Sequence, residues 1–469
     1  MSFYDAIRVG ASGAADFEVE RSLRFNDDDS PYLELTPSAA GSNQMTFSFW
    51  VKRGSNFGSS SVIFSSGVNN ARGHIYFETD NKLRIQPFNS SGANAGLSTN
   101  MVFRDPSAWY HIVISFNNSA YNDLASTANV YVNGAAVTFT ADNYNVPTGG
   151  NRLNDAQEKR IGEFRPDDGG HFDGYLAEFN FIDGQVLTPS SFGETNSDTG
   201  QWVPINTSGL TFGTEGFRLQ FADNSGTTAT TLGKDTSGQG NNWTPNNFSV
   251  AAGAGNDSLE DTPTNNFCTL NPITFGSGGG EPSASLSNGN LDFTESSSNN
   301  RTAVSTFGLK TGKWYFEFLS TNTGTFSIGW HDFENNQGSF YRNNGSYSSS
   351  FGGGGTSGYS SWTTNDIVGV AIDFDSGKIW YAKNNTWQSG DPATGNSPTN
   401  TFTTGRTLHT EAFTDNSSGT KSGSFNYGQR PFTYTPPTGY KSICSANLPD
   451  PTILLPNKHF NTLLYTGND

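Results

Sequence analysis

The sequence predicts an all-β protein made of two antiparallel β-sandwiches in tandem, with short terminal arms. Three observations support this fold class. The chain has 469 residues, more than one hydrophobic core ordinarily takes, so two domains are expected. It contains 54 Gly and 37 Phe but only 15% charged residues, a composition that favours strands and turns over helices. Apolar and polar residues alternate in short runs, so each strand can bury one face.

The order of these runs predicts five segments. They are an N-terminal docking arm (1–22), a first sandwich (23–222), a connector rich in Gly, Asn and Ser (223–280), a second sandwich (281–445) and a Pro-rich C-terminal tail (446–469). The connector has few positions able to support a sheet.

Alternation is clearest in the run TFSFWVKR of the first sandwich. Phe47, Phe49 and Val51 fall on one face, whereas Trp50 and Lys52 fall on the other. The run therefore predicts a half-buried antiparallel strand, with the two phenylalanines and the valine directed into the core.

Turn residues separate the predicted strands. Asn133-Gly134 accepts positive φ at low cost, as a tight hairpin requires. In the second sandwich, the segment 375–378 (DSGK) lies between the strong strands IVGVAIDF and KIWYAK. Both domains are thus expected to be stacks of hairpins.

The two terminal segments have little capacity for regular structure. The first 22 residues carry too little apolar surface for a core, and they form either a docking arm or a frayed terminus. Pro449, Pro451 and Pro456 interrupt the last segment. We expect an extended tail that wraps a neighbouring protein.

Charge and cysteine content exclude several classes of function. A net charge of −17 without clustered Lys or Arg argues against nucleic acid as a partner. Cys268 and Cys444 are too few for a disulfide framework; they are either buried free thiols or a single bridge. Neither a signal peptide nor a membrane-inserted segment is predicted, so export would occur by lysis or inside a particle.

Longer sequence phrases resemble known families. The first domain resembles the LamG, or pentraxin-like, branch of concanavalin-like sandwiches through FSFWVKRG, AWYHIVISFNNS, NVYVNGAAV, IGEF and FDGYLAEFNFIDGQVLTPSSF. The second resembles a SPRY (B30.2-like) module through GKWYFEF, FSIGW, DIVGVAIDFDSGKIWYAKN and FNYGQRPFTYTPPTGYKS. These resemblances imply two concanavalin-like jelly rolls.

The pairing of these modules, with SFYDAIRVGASGA, RDPSAWYHIV and NNWTPNNFSV, resembles structural proteins of tailed phages. The resemblance implies a fibre or spike protein at the virion surface, assembled in the host cytoplasm, with other virion proteins and a host glycan or receptor as partners. It also implies a homo-oligomer, with a trimer favoured. The alternatives are an architectural capsid-decoration or tail-linking subunit without a ligand and, more weakly, a polysaccharide-degrading enzyme.

Catalysis is not expected from this sequence. Glycoside hydrolases need two carboxylates on one strand face, and the sequence has no strand of the Glu-x-Asp-x-x-Glu type. No nucleophile elbow, phosphate loop or Cys-x-x-Cys pair occurs either. We therefore predict a protein that binds.

The sequence points to one possible cofactor, calcium. LamG-like domains often hold calcium near the last strand where the family tends to have Asp-Glu, but this chain has Ala177-Glu178 there. The carboxylates that could supply oxygen ligands are Asp167, Asp168, Asp173, Glu178 and Asp235. The alternative is that they satisfy backbone N–H groups in solvated turns.

Aromatic residues give the predicted ligand-binding surface. SPRY modules generally bind through loops at one end of the sandwich, and the corresponding loop here is long and aromatic. The candidate binding residues are Tyr341, Tyr347, Phe351, Tyr359, Trp362 and Trp387. The alternative is that they pack the loop onto its own sandwich or onto another subunit.

Overall fold

The computed structural model describes residues 17–449 except for 56, 69–70, 91–92, 118–123, 145–151, 166–168, 198, 274–283, 297–300, 323, 352–355 and 415–418. In this part of the chain the only α-helix is the single turn Leu124–Thr127, and 3-10 turns occupy Asp27–Asp29, Pro189–Ser191 and Ser445–Asn447. None of these described helices is long and apolar enough to cross a membrane. The prediction of an all-β fold of antiparallel sandwiches is confirmed. Most of the two terminal arms lies outside the described residues.

The first sandwich consists of two antiparallel sheets, named A and B. Sheet A has the order β10 (Ala135–Ala136), β9 (Ala128–Val132), β8 (Tyr110–Phe116), β3 (Met45–Arg53), β13 (Gly174–Asp183), β1 (Ser22–Phe25) and β18 (Ser258–Leu259), and β16 (Phe217–Leu219) also pairs with β13. Sheet B has the order β11 (Phe139–Tyr144), β7 (Ala93–Val102), β6 (Lys82–Ser90), β5 (Ala71–Phe77), β4 (Ser61–Val68), β12 (Lys159–Ile161), β2 (Tyr32–Leu35) and β17 (Thr244–Asn246). A separate hairpin pairs β14 (Gly193–Thr195) with β15 (Trp202–Pro204).

The core of the first sandwich lies between sheets A and B. Phe47, Phe49 and Val51 are fully buried members of this core, as the alternation in β3 predicts. The ring of Phe47 lies 5.0 Å from that of Phe64 in sheet B, with an edge-on geometry that favours aromatic pairs. The predicted direction of these side chains is confirmed.

The outer face of sheet A is covered as well, so the prediction that β3 is half-buried is wrong. Every residue of β3 is buried. Trp50 stacks on His111 at 4.7 Å, and Trp202 of the β14–β15 hairpin covers His111 with ring centroids 6.0 Å apart. Alternation identifies the apolar face of a strand, but it does not exclude burial of a polar face whose hydrogen bonds are satisfied.

The described part of the connector contributes to both sheets of the first sandwich. β17 extends sheet B and β18 extends sheet A, although these strands have only three and two residues. Trp243 is fully buried in the first core, with its ring 4.9 Å from that of Phe217. Asp257 forms an ion pair with the buried Arg24 of β1 at 3.0 Å. The domain boundaries at 222 and 280 remain predictions.

The second sandwich also consists of two antiparallel sheets, named C and D. Sheet C has the order β19 (Ser285–Ser287), β20 (Asp292–Glu295), β32 (Lys421–Asn426), β22 (Lys313–Ser320), β27 (Ile367–Asp373), β28 (Lys378–Lys383) and β29 (Thr386–Trp387), and β30 (Asn400–Thr401) also pairs with β28. Sheet D has the order β21 (Arg301–Leu309), β31 (Leu408–Thr414), β23 (Phe326–Asp332), β24 (Gln337–Arg342), β25 (Ser346–Ser349) and β26 (Thr356–Ser357).

Buried side chains connect the two sandwiches. Trp50, Trp109 and Tyr175 lie on the outer side of sheet A, and they belong to the same buried apolar cluster as the core between sheets C and D. The Tyr175 hydroxyl donates a hydrogen bond of 2.6 Å to the carbonyl of Gly289. The second sandwich therefore packs on the first through a continuous apolar contact.

The two cysteines do not form a disulfide. Cys268 and Cys444 are both buried free thiols, which resolves the alternatives that the sequence left open. Burial raises the pKa of the Cys268 thiol to about 11, so this group stays protonated at neutral pH.

Candidate functional site

Three of the six aromatic residues predicted to bind a ligand lie in the core of the second sandwich. Tyr341, Tyr347 and Trp362 are 0%, 4% and 2% exposed, and all belong to the cluster between sheets C and D. Tyr341 of β24 pairs directly with Tyr347 of β25, so one inward face carries both rings. Their assignment to a ligand surface is therefore wrong. They pack the segment onto its own sandwich, which is the alternative considered for them.

The other three predicted residues are half-buried. Phe351 packs on Phe402 with ring centroids 5.7 Å apart, and Tyr359 packs edge-on against the ring of Tyr341 at 6.3 Å. Trp387 lies against a small cluster on the outer side of sheet C. These contacts leave part of each ring accessible, so their role as ligand contacts remains a prediction.

The described carboxylates predicted as calcium ligands are occupied by protein partners. Glu178 pairs with Arg218 at 3.0 Å, and burial raises its pKa although Arg218 opposes this effect. Asp173 accepts hydrogen bonds from the Ser55 backbone N–H and hydroxyl. Asp235 accepts three backbone N–H groups, from Arg218, Ser237 and Asn241.

This pattern fits the alternative in which carboxylates stabilise turns rather than hold an ion. Over the residues that the structure describes, no group of three or more His, Cys, Asp or Glu side chains could hold a metal ion. Asp167 and Asp168 lie outside the described residues, so the calcium prediction remains untested there.

The outer face of sheet D carries a second arrangement of aromatic and ionisable groups, which we call the sheet D face. Antiparallel pairing aligns Gly329 with both Phe340 and Glu411, and His331 with His409. Alternate residues of neighbouring strands share a face, so these side chains project together. The members of the sheet D face are His331, Phe333, Phe340, His409, Glu411 and Phe413.

Their rings form a continuous strip. The His331 ring lies 4.4 Å from Phe333 and 6.0 Å from Phe340. Phe333 contacts His409 at 5.6 Å at one end, and Phe340 contacts Phe413 at 6.4 Å at the other. The three phenylalanines are half-buried, whereas the two histidines are buried. The accessible part of the strip is therefore formed by phenylalanine rings.

A buried ionisable pair lies within the strip. His331 Nδ1 is 2.6 Å from Glu411 Oε2, and the two side chains are 5% and 1% exposed. Nδ1 must carry a proton to donate to the carboxylate, since Oε2 can only accept. No donor in the described part of the chain reaches Glu411 Oε1. Buried acceptors usually have a partner, so this oxygen retains the capacity for one more hydrogen bond.

His409 completes the polar part of the sheet D face as a neutral ring. Burial is the main reason that its pKa is lowered to about 4; the Ser305 carbonyl opposes this effect and the neighbouring His331 adds to it. Its Nδ1 lies 3.2 Å from the carbonyl of Ser305, to which it donates. A Cβ at Gly308 would lie 2.7 Å from His409 Nε2, so the glycine at this position of β21 leaves room for the His409 ring.

The arrangement suits binding better than hydrolysis. The strands of sheet D contain two carboxylates, Asp332 and Glu411. Alternation directs Asp332 away from His331, and Asp332 is paired with Arg406 at 3.0 Å. One carboxylate on the face cannot supply the acid and the nucleophile or base of a glycoside hydrolase. Half-buried rings with a few buried polar groups are instead typical of binding sites.

Sequence reasoning missed most of this face. His331 and Glu411 are 80 residues apart along the chain, and only the pairing of β23 with β31 brings them together. The available signal was alternation in FSIGWHD and LHTEAF, which places residues 329 and 331, and 411 and 413, on common faces of their own strands.

Comparisons with known proteins agree with the fold in part of the chain. No curated protein sequence matches it. Similar solved structures include domains LG4-5 of the mouse laminin alpha1 chain (9% identity, 89% of this chain, 90% of that chain, TM-score 0.30). They also include the SPRY domain of human HERC1, with 15% identity, 30% of this chain and 91% of that chain covered, and a TM-score of 0.23. A third is a heptameric SAP-like pentraxin from Limulus polyphemus, with 18% identity, 37% of this chain and 80% of that chain covered, and a TM-score of 0.28.

A family model, Laminin_G_3 of the Concanavalin A-like lectin/glucanases superfamily, matches residues 27–191. These residues include most strands of sheets A and B. Residues 27–191 of the first sandwich are therefore similar to laminin G-like domains of the concanavalin A-like lectin/glucanase superfamily.

Proposed function

We propose that the protein is a non-catalytic binding protein and that the sheet D face binds a carbohydrate. The observation that carries the proposal is the strip of half-buried rings around the buried His331–Glu411 pair. The C–H faces of a sugar ring pack on aromatic rings, and its hydroxyl groups need hydrogen-bond partners of fixed position. Phe333 and Phe340 supply the accessible rings, and the buried His331–Glu411 pair lies beneath them.

Charge limits the kind of carbohydrate. The chain has a net charge of −17, so long-range repulsion disfavours a polyanionic polysaccharide. The ionisable groups of the sheet D face are one carboxylate and two histidines, one of them kept neutral by burial. We therefore expect a neutral glycan.

The place of action is a further part of the proposal. We propose that the protein acts at the surface of a tailed-phage particle, as a fibre or spike component that attaches to a host glycan. Support comes from the pairing of LamG-like and SPRY-like modules and from the phrases SFYDAIRVGASGA and NNWTPNNFSV. Partners bound through the terminal arms and a trimeric assembly belong to the same proposal. Immunogold labelling of purified particles would test the location.

The binding proposal is tested with the full chain on an array of neutral oligosaccharides, followed by titration calorimetry with the best ligand. Phe340→Ala removes one ring of the strip and is expected to weaken binding about tenfold, which corresponds to ~1.4 kcal/mol. The matched control is Phe248→Ala, because Phe248 is also half-buried but packs on the first sandwich. Circular dichroism checks that both variants are folded.

Two results would contradict the proposal. One is the absence of binding to any neutral oligosaccharide at high micromolar concentration, which would favour a purely architectural subunit. The other is an equal loss of affinity in Phe340→Ala and Phe248→Ala, which would place the ligand elsewhere.

A further inference from the structure

A buried lysine lies where the first sandwich meets the connector. Lys52 is on the outer face of β3 and is 0% exposed. Its Nζ donates to Asp261 Oδ2 and to Asn266 Oδ1, both at 2.8 Å, and to the carbonyl of Phe267 at 3.0 Å. The amine is therefore held against a carboxylate and a carboxamide at the same time.

The orientations of these two partners are fixed by further hydrogen bonds. Asp261 Oδ1 accepts from Trp109 Nε1 at 3.0 Å and from the Phe267 N–H at 3.2 Å. This leaves Oδ2, which faces Nζ, as the oxygen that can take up a proton. Asn266 Nδ2 donates to the carbonyl of Ser107 at 2.8 Å, which turns the carboxamide oxygen towards the lysine.

We propose that Lys52 and Asn266 form an intramolecular isopeptide bond, with Asp261 as the proton shuttle. An amine that is hydrogen-bonded to both a carboxamide and a carboxylate provides the complete set of groups for this reaction. Fixed geometry replaces the encounter of free reactants and so removes part of the barrier to amide exchange, and the acid–base group lowers the rest. Surrounding rings, including Tyr175 with its centroid 5.7 Å from Nζ, exclude water that would compete.

The atoms balance without an oxidant or a co-reactant. The ammonium of Lys52 first passes a proton to Asp261 Oδ2, which leaves a neutral amine and a neutral acid. The amine attacks Cγ of Asn266 while Asp261 protonates the carbonyl oxygen, and the carboxylate then removes a proton from Nζ. Asp261 next protonates the amide nitrogen of Asn266, the Cγ–Nδ2 bond breaks, and ammonia leaves. The hydroxyl proton returns to Asp261 as the new carbonyl forms.

The position of the bond gives it a structural role. Asn266 is half-buried, so ammonia can escape to solvent. The Asn266 carbonyl accepts from the Ser445 N–H, and its own N–H donates to Ser445 Oγ, both at 2.9 Å or less. The bond would thus join β3 of the first sandwich to a segment that is also hydrogen-bonded to Ser445, which follows the last strand of the second sandwich. It would close a loop of 214 residues, which constrains the unfolded chain strongly.

The direct test is mass spectrometry of the purified, denatured full chain. We expect a mass lower than that of the sequence by one ammonia molecule. Trypsin should release the peptide Phe25–Arg53, uncleaved after Lys52, joined to the peptide Asp235–Arg301. Fragmentation should place the link at Lys52 and Asn266. Separate peptides with normal cleavage after Lys52, or a link to Asp261 with loss of water, would overturn the proposal.

Variants test the role of each group. Asn266→Ala should abolish the linked peptide because the carboxamide is lost. Asp261→Ala should abolish it as well, although this variant keeps both the amine and the carboxamide. The matched control Asn265→Ala changes the neighbouring asparagine and should retain the link. A link formed to the same extent in Asp261→Ala would refute the shuttle role. Should a variant fail to fold, the peptide map of the unaltered chain still decides whether the bond exists.

Discussion

The buried ring of His111 predicts that the protein loses stability in mild acid. Trp202 Nε1 can only donate, so His111 Nδ1 accepts from it at 2.9 Å, and Nε2–H donates to Ser48 Oγ at 2.9 Å. The ring also stacks on Trp50. Protonation would place a second N–H against Trp202 and a charge in a dry site. Burial accordingly lowers the pKa of His111 from 6.5 to about 3.

The direction and the size of the change in stability follow from the number of protons that the unfolded and the folded chain bind. Between pH of about 6.5 and about 3 the unfolded chain binds a proton at this histidine that the folded chain does not, so stability falls as the pH falls. The whole difference in pKa corresponds to about 5 kcal/mol. Of this, about 2 kcal/mol is lost between about pH 7 and about pH 5.

Urea unfolding at these two pH values, followed by fluorescence, measures the effect. In His111→Gln the amide can keep one acceptor and one donor but does not titrate, so the loss between the two pH values should shrink by about 2 kcal/mol. The control is the unaltered chain, unfolded in urea at the same two pH values. An unaltered pH dependence in His111→Gln would refute the reasoning, whatever the absolute stability of the variant.

Three further predictions concern the cores. Trp243→Ala should lower the free energy of unfolding by about 3–5 kcal/mol in urea titrations, because this connector residue is fully buried; a loss below about 1 kcal/mol would contradict its place in the first core. Arg218→Met should lower the free energy of unfolding by about 3–5 kcal/mol, because it leaves Glu178 charged and buried. The double variant with Glu178→Met should regain most of this stability, and a double variant as unstable as Arg218→Met would argue against the ion pair. Cys268, with its pKa near 11, should react with a thiol reagent only after unfolding, and rapid labelling of the native chain would show that it is accessible.

Local patterns in the sequence were sufficient for the strands and turns. Alternation in β3 correctly assigned Phe47, Phe49 and Val51 to the core. Asn133-Gly134 adopts positive φ at both positions, 49° and 80°, as its hairpin requires. These features depend on residues that are neighbours in the chain, so period and residue type determine them.

Alternation cannot predict side-chain directions where a strand is irregular, as in β13. The register of β13 against β3 shifts between Ala177 and Asn180, and Glu178 has a φ of 45°. The irregularity directs Glu178 towards Arg218, which lies 40 residues further along the chain. Counting residues along a regular strand cannot find such a bulge, because its cause is a partner from a distant segment.

The candidate site depended still more on distant contacts. Aromatic composition drew attention to Tyr341, Tyr347 and Trp362, but an inward-facing ring and a ligand-facing ring have the same sequence signature. The sheet D face arises from the pairing of strands around His331 and Glu411, which no local pattern encodes.

The sequence by itself determined that this chain is all-β, which side chains of its clearest strand enter a core, and where its tightest turns lie. Only the tertiary structure decided that the polar face of β3 is buried, that the connector supplies Trp243 to the first core, and that Lys52 meets Asp261 and Asn266. The physical reason is that period and turn chemistry act between near neighbours, whereas burial and pairing are set by segments that meet across hundreds of residues.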